Sequence, residues 1–227
     1  TAKRMHFDAI PKAMDEYHQQ LRAYEKQDLK ARLNNPVYHI HGHNVPASDM
    51  VVPFAMLLNI ASVSNAEDKE TLWGFINKYA PDATPESNPT LDQAAGFAVA
   101  YFNDFVKPAK EYRLPTDQER AALQDLADAL KSPEAALAAI AKKNELVGNE
   151  DPLPEADFAS DEFLQSVVFA IGKIHGFEPL RAWFSAIYEV LLGATQGPRF
   201  GGFIALYGVD ETIALIDGAL KGELVSD

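Results

Sequence analysis

Apolar residues recur at spacings of three and four along most of this chain, the period of helices that each bury one stripe. Phe7, Ile10, Met14, Tyr17, Leu21 and Tyr24 keep that spacing and predict one long amphipathic helix over residues 5 to 26. Pro11 is expected to weaken or kink it, because proline inside a helix removes a hydrogen bond. Residues 27 to 48, with Asn34, Asn35, Pro36, Gly42 and Pro46, read as a loop. Helices are then predicted at about 49 to 64, 66 to 79 and 90 to 106. In the second of these, Asn65 is placed to cap the start and Glu67 and Asp68 to meet the positive end of the helix dipole. Its apolar face carries Leu72, Trp73, Phe75, Ile76 and Tyr79. Pro81, Pro85 and Pro89 mark a turn-rich link.

Thr116 and Glu119 have the spacing of a capping box, which opens a helix to about Leu130, and Ser132 with Pro133 opens the next. Residues 145 to 162 hold seven acidic groups, no basic ones, and Pro152 and Pro154, the composition of a solvated linker. The predicted organisation is a helical part over 1–148, an acidic linker over 149–160 and a C-terminal helical part over 161–227. Helices in the last part are expected near 160 to 175, 179 to 192, 198 to 207 and 210 to 220. No strand alternation and no internal repeat is visible, so the expected fold class is all-α, a multi-helix bundle.

The stretch from Pro179 to Tyr207 is the one around which the rest is organised. Trp183, Phe184, Ile187, Tyr188, Leu191 and Leu192 form a helical stripe, and Gly193 supplies a left-handed stop. The segment from Ala194 to Gly202 has little apolar material. Pro198 suits the first position of the following helix, which leaves Arg199 and Phe200 near a helix N-terminus, where free N–H groups attract anions. A guanidinium beside an aromatic ring also suits unpaired nucleotide bases. The same residues have a plain structural reading, with Arg199 bonding a neighbouring carboxylate or carbonyl and Phe200 filling the core.

Charge narrows the field. The net charge of −13 argues against a general nucleic-acid binder. Its distribution is uneven, at +2 over residues 1 to 32, −4 over 33 to 115 and −11 over 116 to 227, so any RNA contact should be local. With no cysteine, disulfides and thiolate metal sites are excluded. No apolar run is long enough to cross a bilayer and no apolar signal region follows the N-terminus, so a cytoplasmic protein is expected. The chain opens within a helical pattern, as a fragment of a longer polypeptide would.

Catalytic motifs are missing: there is no Gly-x-x-x-x-Gly-Lys loop, Gly-x-Ser-x-Gly elbow or Gly-x-Gly-x-x-Gly turn. His39, His41 and His43 would point one way on an extended segment, as metal ligands do, but only Asp49 lies near, and no metal is expected. His175 before Gly176 suits the negative end of a helix dipole. Lys107, Lys110 and Arg113, beside Tyr101, Phe102, Phe105 and Tyr112, fit either RNA or a charged face over an apolar stripe.

The run from Val52 to Pro81, VPFAMLLNIASVSNAEDKETLWGFINKYAP, resembles the C-terminal region of class I lysyl-tRNA synthetases, the archaeal-type enzymes also found in some bacteria. AKRMHFDAIPKAMDEY near the start and LRAWFSAIYEVLLGATQGPRFGGFIALYG near the end resemble it too, and the last run is also similar to the close of glutamyl-tRNA synthetases. In that family a Rossmann-type half carries His-Ile-Gly-His and Lys-Met-Ser-Lys-Ser type signatures. Neither is present here, and His39, Ile40, His41, Gly42 differs from the first in order and context.

The resemblance implies a helical cage of the lysyl-/glutamyl-tRNA synthetase anticodon-binding type. Its partners would be lysine tRNA and its own N-terminal catalytic domain. The full enzyme would use ATP with magnesium to activate lysine and transfer it to tRNA, whereas this chain alone would need no cofactor and be inactive. Motif position and chemistry together nominate Arg199, Phe200, Arg181, Trp183 and Tyr188 for tRNA, with Lys107, Lys110 and Arg113 for backbone phosphates. A glutamyl-type appendage and a helical protein-interaction module are the alternatives, the second favoured by the acidity of residues 116 to 227.

Overall fold

Caps and prolines decide where the helices begin. The computed structural model of the chain describes residues 9–64, 66, 68–197 and 199–225, and among these it contains twelve α-helices and no strand. They are α1 (Ile10–Lys26), α2 (Leu29–Asn34), α3 (Pro36–His41), α4 (Phe54–Ser64), α5 (Lys69–Tyr79), α6 (Pro89–Tyr101), α7 (Asp117–Ala129), α8 (Pro133–Val147), α9 (Asp161–Ile174), α10 (Arg181–Ile187), α11 (Phe200–Tyr207) and α12 (Val209–Lys221). α6 runs on through a π turn at Phe102–Val106, and α10 through another at Tyr188–Leu192. The all-α architecture expected from the periodicity is the one observed.

Several local expectations hold and others shift. The capping box is complete: the Glu119 N–H donates to Thr116 Oγ1 and the Thr116 N–H donates to Glu119 Oε2, at 3.3 and 2.8 Å. Ser132 caps α8, with Pro133 in its first turn. Pro11 also sits in the first turn of its helix, where a missing N–H costs nothing, so it starts α1 instead of kinking it. The predicted helical residues before 9, Phe7 among them, lie outside the described residues, as do Asn65, Glu67 and Pro198. α5 is capped by Asp68, which accepts the Thr71 N–H at 2.9 Å.

Within the segment 27 to 48 expected as a loop, residues 29–34 and 36–41 are helical and residues 42–48 are irregular. Asp28 caps α2 by accepting the Ala31 N–H, and Asn35 caps α3 by accepting the Val37 N–H, with Pro36 next to it. Each helix is too short to show a period in the sequence, and of the residues that looked like loop markers Asn35 is a cap and Pro36 the first residue of a helix.

α9 is the axis of the packing. α11 crosses its first turns, α8 and α7 lie along it, and Trp183 of α10 seals its far end. Gly201 makes the crossing possible: a Cβ there would stand 2.4 Å from the Gln165 backbone nitrogen and 2.5 Å from the Asp161 carbonyl oxygen. Along α11, Phe200, Phe203 and Tyr207 stack in turn at 5.1 and 5.2 Å, and Tyr207 stacks on Phe75 of α5 at 5.4 Å. One contiguous cluster of buried apolar side chains runs from Met50 to Ala219, and α8 and α9, on either side of 149–160, both contribute to it.

Candidate nucleic-acid interface

Gly193 adopts φ 64° and ends the π turn after α10, so the chain leaves at the tight angle that only glycine takes readily. Its carbonyl accepts the Glu111 N–H at 3.2 Å, which ties the start of the loop to the 107–113 segment. Gly197 then passes over Tyr188 so closely that a Cβ would stand 2.5 Å from the ring. The loop ends at Arg199 and α11, anchored where the Gly201 N–H donates to Gln165 Oε1 at 2.8 Å.

Its end opens on a cleft of about 550 Å³ lined by residues from distant parts of the chain. Arg22 of α1, Met50, Val51, Val52 and Pro53 before α4, Tyr79 at the end of α5, Asp161 at the start of α9, and Arg199 all face it. The Arg199 side chain is 53% exposed, and its Nη1 stands 3.9 Å from Asp161 Oδ2, an ionic contact longer than a hydrogen bond. Arg22 is exposed and donates from Nη1 to the Met50 carbonyl at 3.2 Å. Tyr79 leaves 41% of its surface exposed. Its phenol is pushed up by burial of the group and further by Asp161 and Glu162, which keeps it a neutral ring.

The residues singled out from the sequence fall into three places. Arg199 lies at the cleft. Phe200 beside it is fully buried between Phe203 and Tyr188 and offers no face to a ligand. Trp183 is likewise buried, packed on Gly172, with its Nε1–H donated to the Val168 carbonyl at 2.9 Å. Tyr188 is buried under the loop, and that burial pushes its phenol up to about 12. Arg181, at the start of α10, is exposed. It belongs with Trp183 at the far end of α9: Trp183 packs on Gly172 and Arg199 reaches Asp161, two positions separated by roughly 16 Å of helix axis.

The basic group 107–113 is largely committed to the protein. Lys110 donates to the Ser62 carbonyl at 2.6 Å and to Tyr112 Oη at 2.7 Å, over the rings of Phe102 and Tyr112. Burial pushes its ammonium down to about 8. Arg113 donates to both Glu119 carboxylate oxygens at 2.7 and 2.8 Å and to Glu189 at 2.7 Å. Lys107 is exposed. Lys110 and Arg113 line a second cleft, of about 520 Å³, whose far wall is Gly193, Ala194 and Thr195 of the same loop.

The three histidines do not converge. His39 and His41 are on α3, where a two-residue step turns the side chain by roughly 200°. His41 Nε2 meets Tyr17 Oη at 2.7 Å, while His39 and His43 pack against Tyr38. Among the described residues no group of three histidine or acidic side chains is placed to hold a metal ion. His175, at the end of α9, pairs with Asp125 at 2.8 Å. No helix of the described residues is long and apolar enough to cross a membrane.

Sequence reasoning missed Arg22, Tyr79 and Asp161. Arg22 lies on a polar helix face and Asp161 in an acidic stretch, and neither position carries a motif. Tyr79 reads as the last residue of an apolar stripe. Only the fold brings them to Arg199.

No family model matches the chain, and no solved structure does. Curated proteins do. The lysine–tRNA ligase of Roseobacter denitrificans is 62% identical over 227 residues, which is all of this chain and 39% of the relative. Those of Rickettsia felis and Rickettsia conorii are each 42% identical over 221 residues, 96% of this chain and 38% of the relative. Over its whole length, then, the chain is similar to lysine–tRNA ligases, and it spans only 39% of the length of the first of these relatives.

Proposed function

We propose that this chain is the helical, tRNA-reading part of a class I lysine–tRNA ligase. The observation that carries the reading is the 62% identity to a lysine–tRNA ligase across all 227 residues. In the complete enzyme a separate catalytic domain would activate lysine with ATP and magnesium and esterify the tRNA 3′ end. The role of this chain is to hold the anticodon of lysine tRNA.

The geometry fits that role at the loop from Gly193 to Arg199. Arg199 and Arg22 supply positive charge at one cleft of a chain whose net charge is −13, so attraction of phosphate is local. Tyr79 supplies the stacking face, while Phe200, Trp183 and Tyr188 support the loop and α9 from beneath. Lys107, and the outward edges of Lys110 and Arg113, serve the phosphate backbone on the other side of the loop. Arg181, exposed at the opposite end of α9, lies away from this cleft. The cleft draws Arg22, Tyr79 and Met50–Pro53 from residues 1–148 and Asp161 and Arg199 from 161–227, so both helical parts act together across the 149–160 linker.

The test is binding of the longest natural polypeptide containing this chain to lysine tRNA at two salt concentrations, beside an anticodon-swapped tRNA. Selective binding that weakens with salt, and an Arg199→Ala variant with a shallower salt dependence, is the expected result. Equal binding to both tRNAs would defeat the reading.

A further inference from the structure

Lys110 differs from other lysines of the chain in what it touches. Lys12, Lys69, Lys78 and Lys131 each pair with a carboxylate. Lys110 Nζ donates instead to two neutral oxygens, the Ser62 carbonyl at 2.6 Å and Tyr112 Oη at 2.7 Å, beside the rings of Phe102 and Tyr112. Two acceptors suit the two N–H bonds of a neutral amine and leave its lone pair unclaimed, and neither is a carboxylate that would hold it as an ammonium. The charged groups of the same cleft do little to restore the proton. Arg113 and Glu189 are bonded to each other at 2.7 Å, Glu111 is exposed, and burial pushes the Tyr112 phenol up, so it stays neutral. Burial brings the Lys110 amine down to about 8. Roughly half of it is then neutral near pH 8, against less than about one part in a hundred for an ordinary exposed lysine.

The cleft that Lys110 lines, about 520 Å³ with Phe105, Val106 and Ala109 on its wall, has room for a small acyl group. The same segment also holds the loop that follows α10. The Glu111 N–H donates to the Gly193 carbonyl at 3.2 Å, and the Tyr112 ring covers Gly193 so closely that a Cβ there would stand 3.1 Å from it. An acylated Lys110 would keep one N–H where the amine has two, so either the Ser62 carbonyl or Tyr112 would lose its bond. We propose that Lys110 is a modification site, the preferred acceptor on this chain for a small activated acyl group, and that its acylation loosens the loop from Gly193 to Gly197. The amine lone pair attacks the acyl carbonyl carbon. A C–N bond forms, the bond from that carbon to the phosphate or thiolate leaving group breaks, and the proton lost by nitrogen goes to the leaving group. The device acts through the Tyr112–Gly193 contact whatever the loop binds, so it stands apart from the tRNA function above.

The experiment treats the longest natural polypeptide containing this chain briefly with acetyl phosphate, and in parallel with acetyl-coenzyme A, and follows acetylation of each lysine of the chain by mass spectrometry. Near pH 8, Lys110 should react about tenfold faster than exposed lysines such as Lys107, and its rate should level off above about pH 8 while theirs keep rising. The lead supports the site with either donor, and the donor that gives it identifies the source of the acyl group. In urea the lead should vanish, because it depends on the fold. In the folded, acetylated protein, hydrogen exchange of peptides covering residues 189–197 should quicken about fivefold, with α9 unchanged. Lys110 ranking among the slow lysines, or a lead that survives urea, would overturn the modification site. Unchanged exchange over residues 189–197 would overturn its link to the loop.

Discussion

The carboxylate of Asp15, on α1, accepts the backbone N–H of Phe54 at 2.5 Å, and its second oxygen accepts that of Ala55 at 3.0 Å. A residue 39 positions away thus caps α4, which explains why that helix starts at Phe54 and not near 49. The same contact sets the segment Met50–Pro53 at the mouth of the cleft and α1, with Arg22, across from it. Replacing Asp15 by alanine should cost about 1–2 kcal/mol, in the range of a lost N-cap, and asparagine should recover part of it. Urea denaturation of the three proteins measures the difference.

Gly201 and Gly202 are neighbours with opposite tolerance. A Cβ on Gly201 would run into the backbone of α9, which cannot move aside, whereas on Gly202 it would meet the flexible Met56 Cε at 3.1 Å. Gly201→Ala should therefore destabilise by about 3 kcal/mol or more, the upper end of overpacking costs, and Gly202→Ala by roughly 1 kcal/mol or less. Thermal unfolding followed by circular dichroism separates the two.

Arg113 holds Glu119 with two hydrogen bonds, and these, ahead of the Thr116 backbone bond, keep the Glu119 carboxyl below its ordinary value. The unfolded chain then binds a proton that the folded chain does not, so this group stabilises above its ordinary value of 4.5 and its contribution is lost as the pH falls below that. Glu119→Gln should flatten the acid side of the stability profile below the ordinary carboxyl value of 4.5. An acid limb as steep as that of the parent protein would refute the assignment.

Lys110 works in the other direction. Burial brings its ammonium down to about 8 from 10.5, so between those values the unfolded chain holds the proton that the folded chain has released. Stability from this group should rise as the pH climbs from about 8 toward 10.5. Relative to a Lys110→Met variant, the parent protein should gain stability between pH 7.5 and pH 9.5, measured by chemical denaturation. Acetylation mapped by mass spectrometry at pH 8.5 should also show which lysine carries the largest neutral fraction.

Tyr188 and Gly197 form a closed contact that supports the loop. Gly197→Ala would place a methyl group against the Tyr188 ring, with the nearest carbon at 2.5 Å, and should displace the path to Arg199. The expected outcome is weaker tRNA binding with little change in melting temperature, since the loop lies at the surface and the core aromatics stay packed. Paired binding and melting curves check it.

Much of the architecture follows from local chemistry that a sequence displays. The apolar period of three and four made the helices, Thr116 and Glu119 made a capping box, Ser132 with Pro133 began α8, and Gly193 ended a helix at positive φ, because each depends on residues within a few positions of one another. Two short helices escaped notice because six residues are too few to display a stripe, and α4 began late because its cap comes from α1.

The site was decided by tertiary packing. Arg199 was visible as a lone cation in a glycine-proline loop, but whether the aromatic next to it could stack on a base depended on which side of α11 met α9. The Gly201 crossing turned Phe200 inward, and Tyr79, a stripe residue by its spacing, came out at the end of α5 beside Arg22 and Asp161. Periodicity determines which residues share a face of one helix. Which faces remain open to solvent is a property of how the helices pack, and the chain alone does not display it.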